Sequence, residues 1–243
     1  MALFKTLLQI FFALLILFAL FAFIGNSEGW ESVWNYRKLF IKGWFITIAI
    51  SFGGLVLSLL LGFLTALAVR SKMPFFVGMA QTYIEIIRGT PLLVQILFFY
   101  YVVAHQIGLE NRFIAGVFIL SIFHGAYIAE MIRGGLEAVS KTQKESAMAI
   151  GLSPFQTYRF VIIPQAIRQV IPPLTGQFAS IIKDSSLLSV IGINELTHSA
   201  EQINSATYST LEIFLPLGLA YLILTLPISL WSKRLEKKFQ YET

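Results

Sequence analysis

Residues Gly43 to Val69 are 27 consecutive uncharged, mostly apolar positions. As one helix they extend about 40 Å, more than a bilayer hydrocarbon core of about 30 Å, so a tilted transmembrane helix is expected. Five further runs follow the same rule. Leu7 to Ile24 is 18 residues long, follows a lone Lys5, and precedes Gly25-Asn26-Ser27-Glu28 without an Ala-x-Ala site, which predicts a retained helix rather than a signal peptide. Phe75 to Ala104 is interrupted by Glu85, Arg88 and Gly89-Thr90-Pro91, and reads as one crossing with a broken cytoplasmic third. Phe113 to Ala129 is the fourth, Gln169 to Asn194 the fifth with Pro172-Pro173 and the pair Lys183-Asp184 inside it, and Ile213 to Trp231 the sixth.

The expectation is an all-α membrane protein with six transmembrane helices. With the amino terminus inside, twelve Lys and Arg fall on the cytoplasmic side against four outside (37, 38, 42 and 112), which satisfies the positive-inside rule and puts both termini in the cytoplasm. Trp30, Trp34, Tyr36 and Trp44 cluster at the first outer loop, where amphipathic rings favour headgroups, so an interfacial helix over 30 to 41 is expected. The chain divides into 1–41, an N-terminal helix with its outer loop, and a membrane domain over 42–243. Six spans in 243 residues leave no room for a soluble catalytic domain, and 56% hydrophobic against 13% charged residues exclude an ordinary soluble globule. The net charge of +5 is scattered between spans and forms no nucleic-acid stripe. With no cysteine, thiolate chemistry and disulfides are excluded. The histidines at 105, 124 and 198 fall on different loops or spans and give no metal motif, and no phosphate-cradling glycine loop is present, so ATP binding must be in trans.

Between the fourth and fifth spans, KTQKESAMAIGLSPFQTYRFVIIPQAI (141 to 167) is far longer than a turn between bundled helices needs to be. Thr142 to Ile150 favours a helix that stops at Gly151 and restarts after Ser153-Pro154, an N-cap followed by proline at the first helical position. Ala149, Ile150, Leu152 and Phe155 would then face water unless a partner covers them.

These residues carry a resemblance. The loop, 139–168, resembles the EAA loop of permease subunits in ATP-binding cassette importers: E-A-A, three residues, G, nine residues, I-x-L-P. The matching positions are Glu145, Ser146, Ala147, Gly151, Val161, Ile163 and Pro164, with Ser146, Val161 and Ile163 as small or apolar departures. YIEIIRGTPLLVQILFFYY (83 to 101), GAYIAEMIRGGLEAV (125 to 139) and IIKDSSLLSVIGINEL (181 to 196) are similar to the polar amino acid permeases, which serve histidine, glutamine, glutamate, arginine, cystine and opines. The resemblance covers about 43 to 235. It implies a type I permease core of five helices, to which Leu7 to Ile24 is an addition, in a multi-pass bacterial inner-membrane protein. It also implies a homodimer or a heterodimer with a second permease, two ATPase subunits carrying ATP and Mg, and an extracytoplasmic binding protein. Residues 143 to 155, among them Glu145, Ala147, Ala149, Ile150, Gly151, Leu152, Ser153, Pro154 and Phe155, would be the coupling segment that docks on the ATPase. No cofactor or metal is expected in this chain itself.

Ionisable groups inside the bilayer are functional candidates by default. Lys183 and Asp184 lie about 14 residues into the fifth span, and adjacent helical side chains diverge by about 100°, so either the helix breaks at Lys183-Asp184-Ser185-Ser186 or each charge meets another partner. They either hold a zwitterionic substrate, with Asp184 on its ammonium group, or form a structural pair with Glu130 or another helix. Glu85 with Arg88 and Glu130 with Arg133 are spaced to bridge on one helical face, a structural role. Arg88 and the following Gly-Thr-Pro either line the path or its inner gate. His124, near the middle of the fourth span, either tunes substrate choice or is a helix-facing histidine bonded to a neighbour. Asn194, Glu195 and His198, at the outer end of the fifth span, form an outer mouth, contact a binding protein, or belong to a solvated loop. A secondary transporter using Lys183, Asp184 and His124 as an ion relay leaves the EAA loop unexplained, and a membrane enzyme built on Glu130 or His124 lacks a matched constellation.

Overall fold

A computed structural model describes residues 29–240, and every regular element among them is helical. The helix expected over Leu7 to Ile24 lies outside the described residues. The described chain runs through α1 (Gly29–Asn35), α2 (Arg37–Val69), α3 (Pro74–Gly89) and α4 (Leu92–Phe98), the last continued by a π-helical turn, Phe99–Ala104. Next come α5 (Arg112–Glu137), α6 (Lys141–Ala149) and α7 (Pro154–Thr157), then a second π turn, Tyr158–Ile162, and α8 (Ile163–Asp184). A 3₁₀ segment, Ser185–Ile191, leads to α9 (Leu196–Thr207) and α10 (Thr210–Gln240). Among the described residues, three helices are long and apolar enough to cross a membrane: α2, α5 and Thr210–Phe239 of α10. Pro74–Gly89 and Leu92–Ala104 together make a fourth candidate, bent by 111°. The helix within the expected fifth span, α8, carries Pro172, Pro173 and buried Thr175 and Gln177, and its polar face turns into the bundle.

The most extensive helix contact in the bundle is between α2 and α5. Gly43, Thr47, Ser51, Gly54, Ser58, Gly62 and Ala66 fall at intervals of three or four, so α2 buries a stripe of small residues while Phe45, Phe52, Leu60 and Phe63 remain exposed on other faces. Small residues let membrane helices approach until backbone meets backbone, where van der Waals contact rather than the hydrophobic effect holds them. A Cβ at Gly62 would sit 2.6 Å from Ile128 Cγ2 and 2.9 Å from the Gly125 carbonyl oxygen, so only glycine fits there. Ser121 on α5 donates across the same seam to the Gly54 carbonyl at 3.2 Å. Ile50, Leu92, Ile96, Ile119, Leu120, Ile181 and Leu188 form the core that joins α2, α4, α5, α8 and the 3₁₀ segment.

The 111° bend at Gly89-Thr90-Pro91 has a local cause and a local remedy. Pro91 has no N–H and frees the Ile87 carbonyl. Buried Gln95, one turn on, donates from its amide nitrogen to the Ile87 oxygen at 2.8 Å and lies 2.8 Å and 3.1 Å from Thr90 Oγ1 and O. Thr90 Oγ1 in turn donates to the Ile86 carbonyl at 2.8 Å. Side chains of the same segment thus satisfy the Ile86 and Ile87 carbonyls at the break.

Candidate functional site

His124 on α5 and Asp184 at the end of α8 come together. His124 is 1% exposed, and its Nε2 lies 3.4 Å from Asp184 Oδ2, whose side chain is 34% exposed. On the other side of the ring, the Gln177 amide nitrogen lies 2.6 Å from Nδ1. An amide nitrogen only donates, so Nδ1 accepts and the ring proton resides on Nε2, facing Asp184. That Nε2 completes no hydrogen bond. A buried nitrogen without a hydrogen bond beside a half-open carboxylate makes a polar cluster between α5 and α8 whose exposed member is Asp184. Of the two options for the Lys183-Asp184 break, both are realised: the α-helix gives way to 3₁₀ geometry at Ser185, and Asp184 meets a partner on another helix. That partner is His124, not Glu130. Lys183 is exposed, Ser186 is half-buried, and buried Ser185 donates to the Ile182 carbonyl at 2.8 Å.

Glu130 belongs to a separate charge cluster six residues along α5, about 9 Å from His124 by helix rise. It accepts from Arg88 at 2.9 Å and from Arg133 at 2.7 and 2.9 Å, and Arg133 also binds Glu137. The Glu130–Arg133 bridge forms as the spacing predicts. The Glu85–Arg88 bridge does not: Arg88 reaches across to α5 and stacks 5.6 Å from the Tyr127 ring, because Glu130 offers a less exposed carboxylate than solvated Glu85. Arg88, just before the bend, thus ties α3 to α5 close to the broken segment.

Asn194 is exposed and accepts from Gln202 at 3.1 Å. Glu195 is fully buried and caps α9: its carboxylate accepts from the Thr197 and His198 N–H groups, both at 2.8 Å, and from the Tyr221 hydroxyl at 2.9 Å. Burial pushes this carboxyl up to about 7. Every oxygen of Glu195 is engaged in holding α9 against α10. His198 lies 3.6 Å from Glu201.

The loop between α5 and α8 folds as its sequence dictates. Ser140 caps α6 by accepting from Gln143 N–H. The helix ends at Gly151, whose φ is +85°. Gly151 N–H bonds the Met148 carbonyl at 3.0 Å and Leu152 N–H bonds the Ala147 carbonyl at 3.1 Å, the paired bonds of a Schellman stop. Ser153 and Gln156 then form a reciprocal capping box that starts α7 with Pro154 in its first turn. Ala147 is buried, whereas Ile150 and Phe155 are 78% and 71% exposed, with Met148 and Ala149 exposed beside them and Leu152 half-buried. Glu145 pairs along the helix with Lys141 at 3.6 Å.

Gln177 and Gln95 are absent from the residues singled out in the sequence. Gln177 precedes Asp184 by seven positions, two helical turns, so a shared face was readable. Nothing in the sequence ties Gln95 to the carbonyls it serves.

A helical bundle with a polar cluster between two of its helices, and a loop that offers Ile150 and Phe155 to water, is the build expected of a membrane permease subunit that works with a partner. Residues 58–241 match the binding-protein-dependent transport system inner membrane component family, and the chain belongs to it. The glutamine transport system permease protein of Escherichia coli K12 is 37% identical over 213 residues, covering 87% of this chain and 97% of that one. The arginine transport system permease protein of Bacillus subtilis is 31% identical, covering 82% and 92%. A solved amino acid ABC transporter superposes with a TM-score of 0.80 at 38% identity over 86% of this chain and 98% of that one. An inward-facing methionine ABC transporter, at 19% identity and a TM-score of 0.64, shares the fold. The chain is therefore a permease component of an ABC importer, a transporter subunit and not an enzyme, and ATP hydrolysis resides in a separate subunit.

Proposed function

We propose that this subunit carries a polar amino acid inward across a bacterial inner membrane by alternating access, with the His124–Gln177–Asp184 pocket as its substrate site. The observation that carries the reading is the meeting of His124 and Asp184, one a buried unsatisfied donor and the other a half-open carboxylate, on helices that pack side by side. Asp184 receives the substrate ammonium group, and His124 Nε2–H steadies the carboxylate or donates to a polar side chain of the substrate. Lys183, Ser185 and Ser186 at the helix break, Asn194 and Glu195 beyond it, and Arg88 and Glu130 at the inner end belong to the walls and gates of the same path. The relatives named for glutamine and arginine transport support the substrate class.

In this reading the chain has six spans and cytoplasmic termini, the N-terminal helix of 1–41 standing outside a core of 42–243. It pairs with a second copy or a close relative and works with two ATPase subunits that hold ATP and Mg, while an extracytoplasmic binding protein delivers substrate. Residues 143 to 155, with Glu145, Ala147 and the Gly151 stop at their centre, dock on the ATPase. Closure of the ATPase pair pushes on this loop and rocks the bundles.

The test is Asp184→Asn in the reconstituted complex. The expected outcome is loss of uptake with assembly and basal ATP hydrolysis retained. Normal uptake by the variant sinks the assignment.

A further inference from the structure

The last turns of α10 carry Lys233, Arg234, Lys237 and Lys238, all exposed. Among the described residues none of the four forms an ion pair. Their placement on the helix is specific. Residues three, four and seven apart share a face, so Leu230, Lys233, Arg234 and Lys237 follow one another down one side, with Trp231, Arg234 and Lys238 on the adjoining strip. The same side carries Ile223, Leu226 and Leu230, at 65%, 46% and 48% exposed, and Trp231 at 53%. The side facing the protein is different: Ser232, Glu236 and Phe239 line a cavity of about 410 Å³ shared with Arg168, Pro172 and Pro173. The one acid among these turns, Glu236, lies at the cavity edge three residues from Lys233 and pairs with none of the four cations. An apolar stripe, a tryptophan at its end and four unpaired cations directly below reproduce, in order, the acyl chains, interface and headgroups of one leaflet.

We propose that this face of α10 is a binding surface for anionic phospholipid headgroups. The argument is charge complementarity: a run of basic side chains at the end of a membrane helix is drawn to anionic lipid, each charge contributing independently near the surface. The proposal rests on α10 spanning the membrane, and the experiment separates the two claims. Trp231 is the reporter, because it lies one and two turns from Arg234 and Lys238.

The full chain, with Trp30, Trp34 and Trp44 replaced by Phe, is placed in nanodiscs of phosphatidylcholine containing brominated phosphatidylglycerol. A second preparation holds the same fraction of brominated phosphatidylcholine in phosphatidylglycerol. The expected result is quenching of Trp231 by the brominated phosphatidylglycerol that corresponds to about tenfold local enrichment over phosphatidylcholine. Lys233→Gln, Arg234→Gln, Lys237→Gln and Lys238→Gln combined should remove the difference. With the four cations left in place, 0.5 M salt should shrink it through screening. Equal quenching by the two lipids overturns the proposal, and equal quenching together with loss of ATPase binding by the fourfold variant assigns the face to protein contact. Absence of quenching by either lipid refutes the spanning of α10 itself.

Discussion

Gly151 is the point at which the proposed coupling loop is most open to a decisive substitution. Its φ of +85° lies in the left-handed region, and a Cβ built there meets nothing within 4 Å. The cost of a side chain is therefore conformational and not steric within this chain, on the order of 1–2 kcal/mol for an ordinary L residue. A loop held in its Schellman stop by two backbone bonds would lose about 5- to 30-fold in the population of the docking conformation. Because asparagine enters the left-handed region more readily than alanine, and a β-branched residue least readily, the affinity for the ATPase should fall in the order Gly, Asn, Ala, Val. The assay is titration of the ATPase subunit against the permease in nanodiscs, with the thermal stability of each variant as control. Stability should change little, because the loop lies outside the bundle. Unchanged affinity across the series, or an order that follows side-chain volume so that alanine outperforms asparagine, would refute the reasoning.

Gln95→Leu leaves the Ile87 carbonyl without its donor inside the bundle, and should lower stability by about 1–3 kcal/mol, read as an earlier thermal transition in detergent. Glu195 supplies a pH test whose sign is fixed: its carboxyl is raised from 4.5 to about 7 in the folded chain, so ionisation opposes folding above the unfolded value. The native chain should lose stability as pH climbs from about 4.5 to 7, up to about 3 kcal/mol from this group, whereas Glu195→Gln should show a flatter profile. A variant whose pH dependence equals that of the native chain removes Glu195 as the titrating group.

What the sequence discloses here follows from the range of the interactions involved. The α6 stop and the α7 start were legible because glycine at a left-handed position and a Ser-Pro cap act within four residues. The glycines at 54 and 62 mark α2 as a close-packing helix, since small residues have one main use in a long apolar helix, but nothing local names α5 as the partner. The break at Lys183-Asp184-Ser185-Ser186 was visible as a conflict between adjacent charges and helix geometry. By contrast, the pairing of Asp184 with His124 joins residues on different helices, and a spacing of that length leaves no periodic trace. Arg88 shows the same limit in reverse, for the local rule offers Glu85 whereas the fold supplies Glu130. Gln95 and Gln177 escaped because a glutamine in an apolar span is ambiguous until the carbonyl or ring that it serves is placed beside it.

In the proposed mechanism, ATP hydrolysed by a partner subunit acts through the loop around Gly151 to drive an amino acid past the His124–Asp184 site. The most direct measurement is uptake of radiolabelled amino acids into liposomes containing the permease and its ATPase, with binding protein outside, and with or without ATP inside. The account predicts uptake that requires internal ATP, is competed by one or a few polar amino acids, and disappears in Asp184→Asn. Uptake driven by an ion gradient without ATP would contradict it.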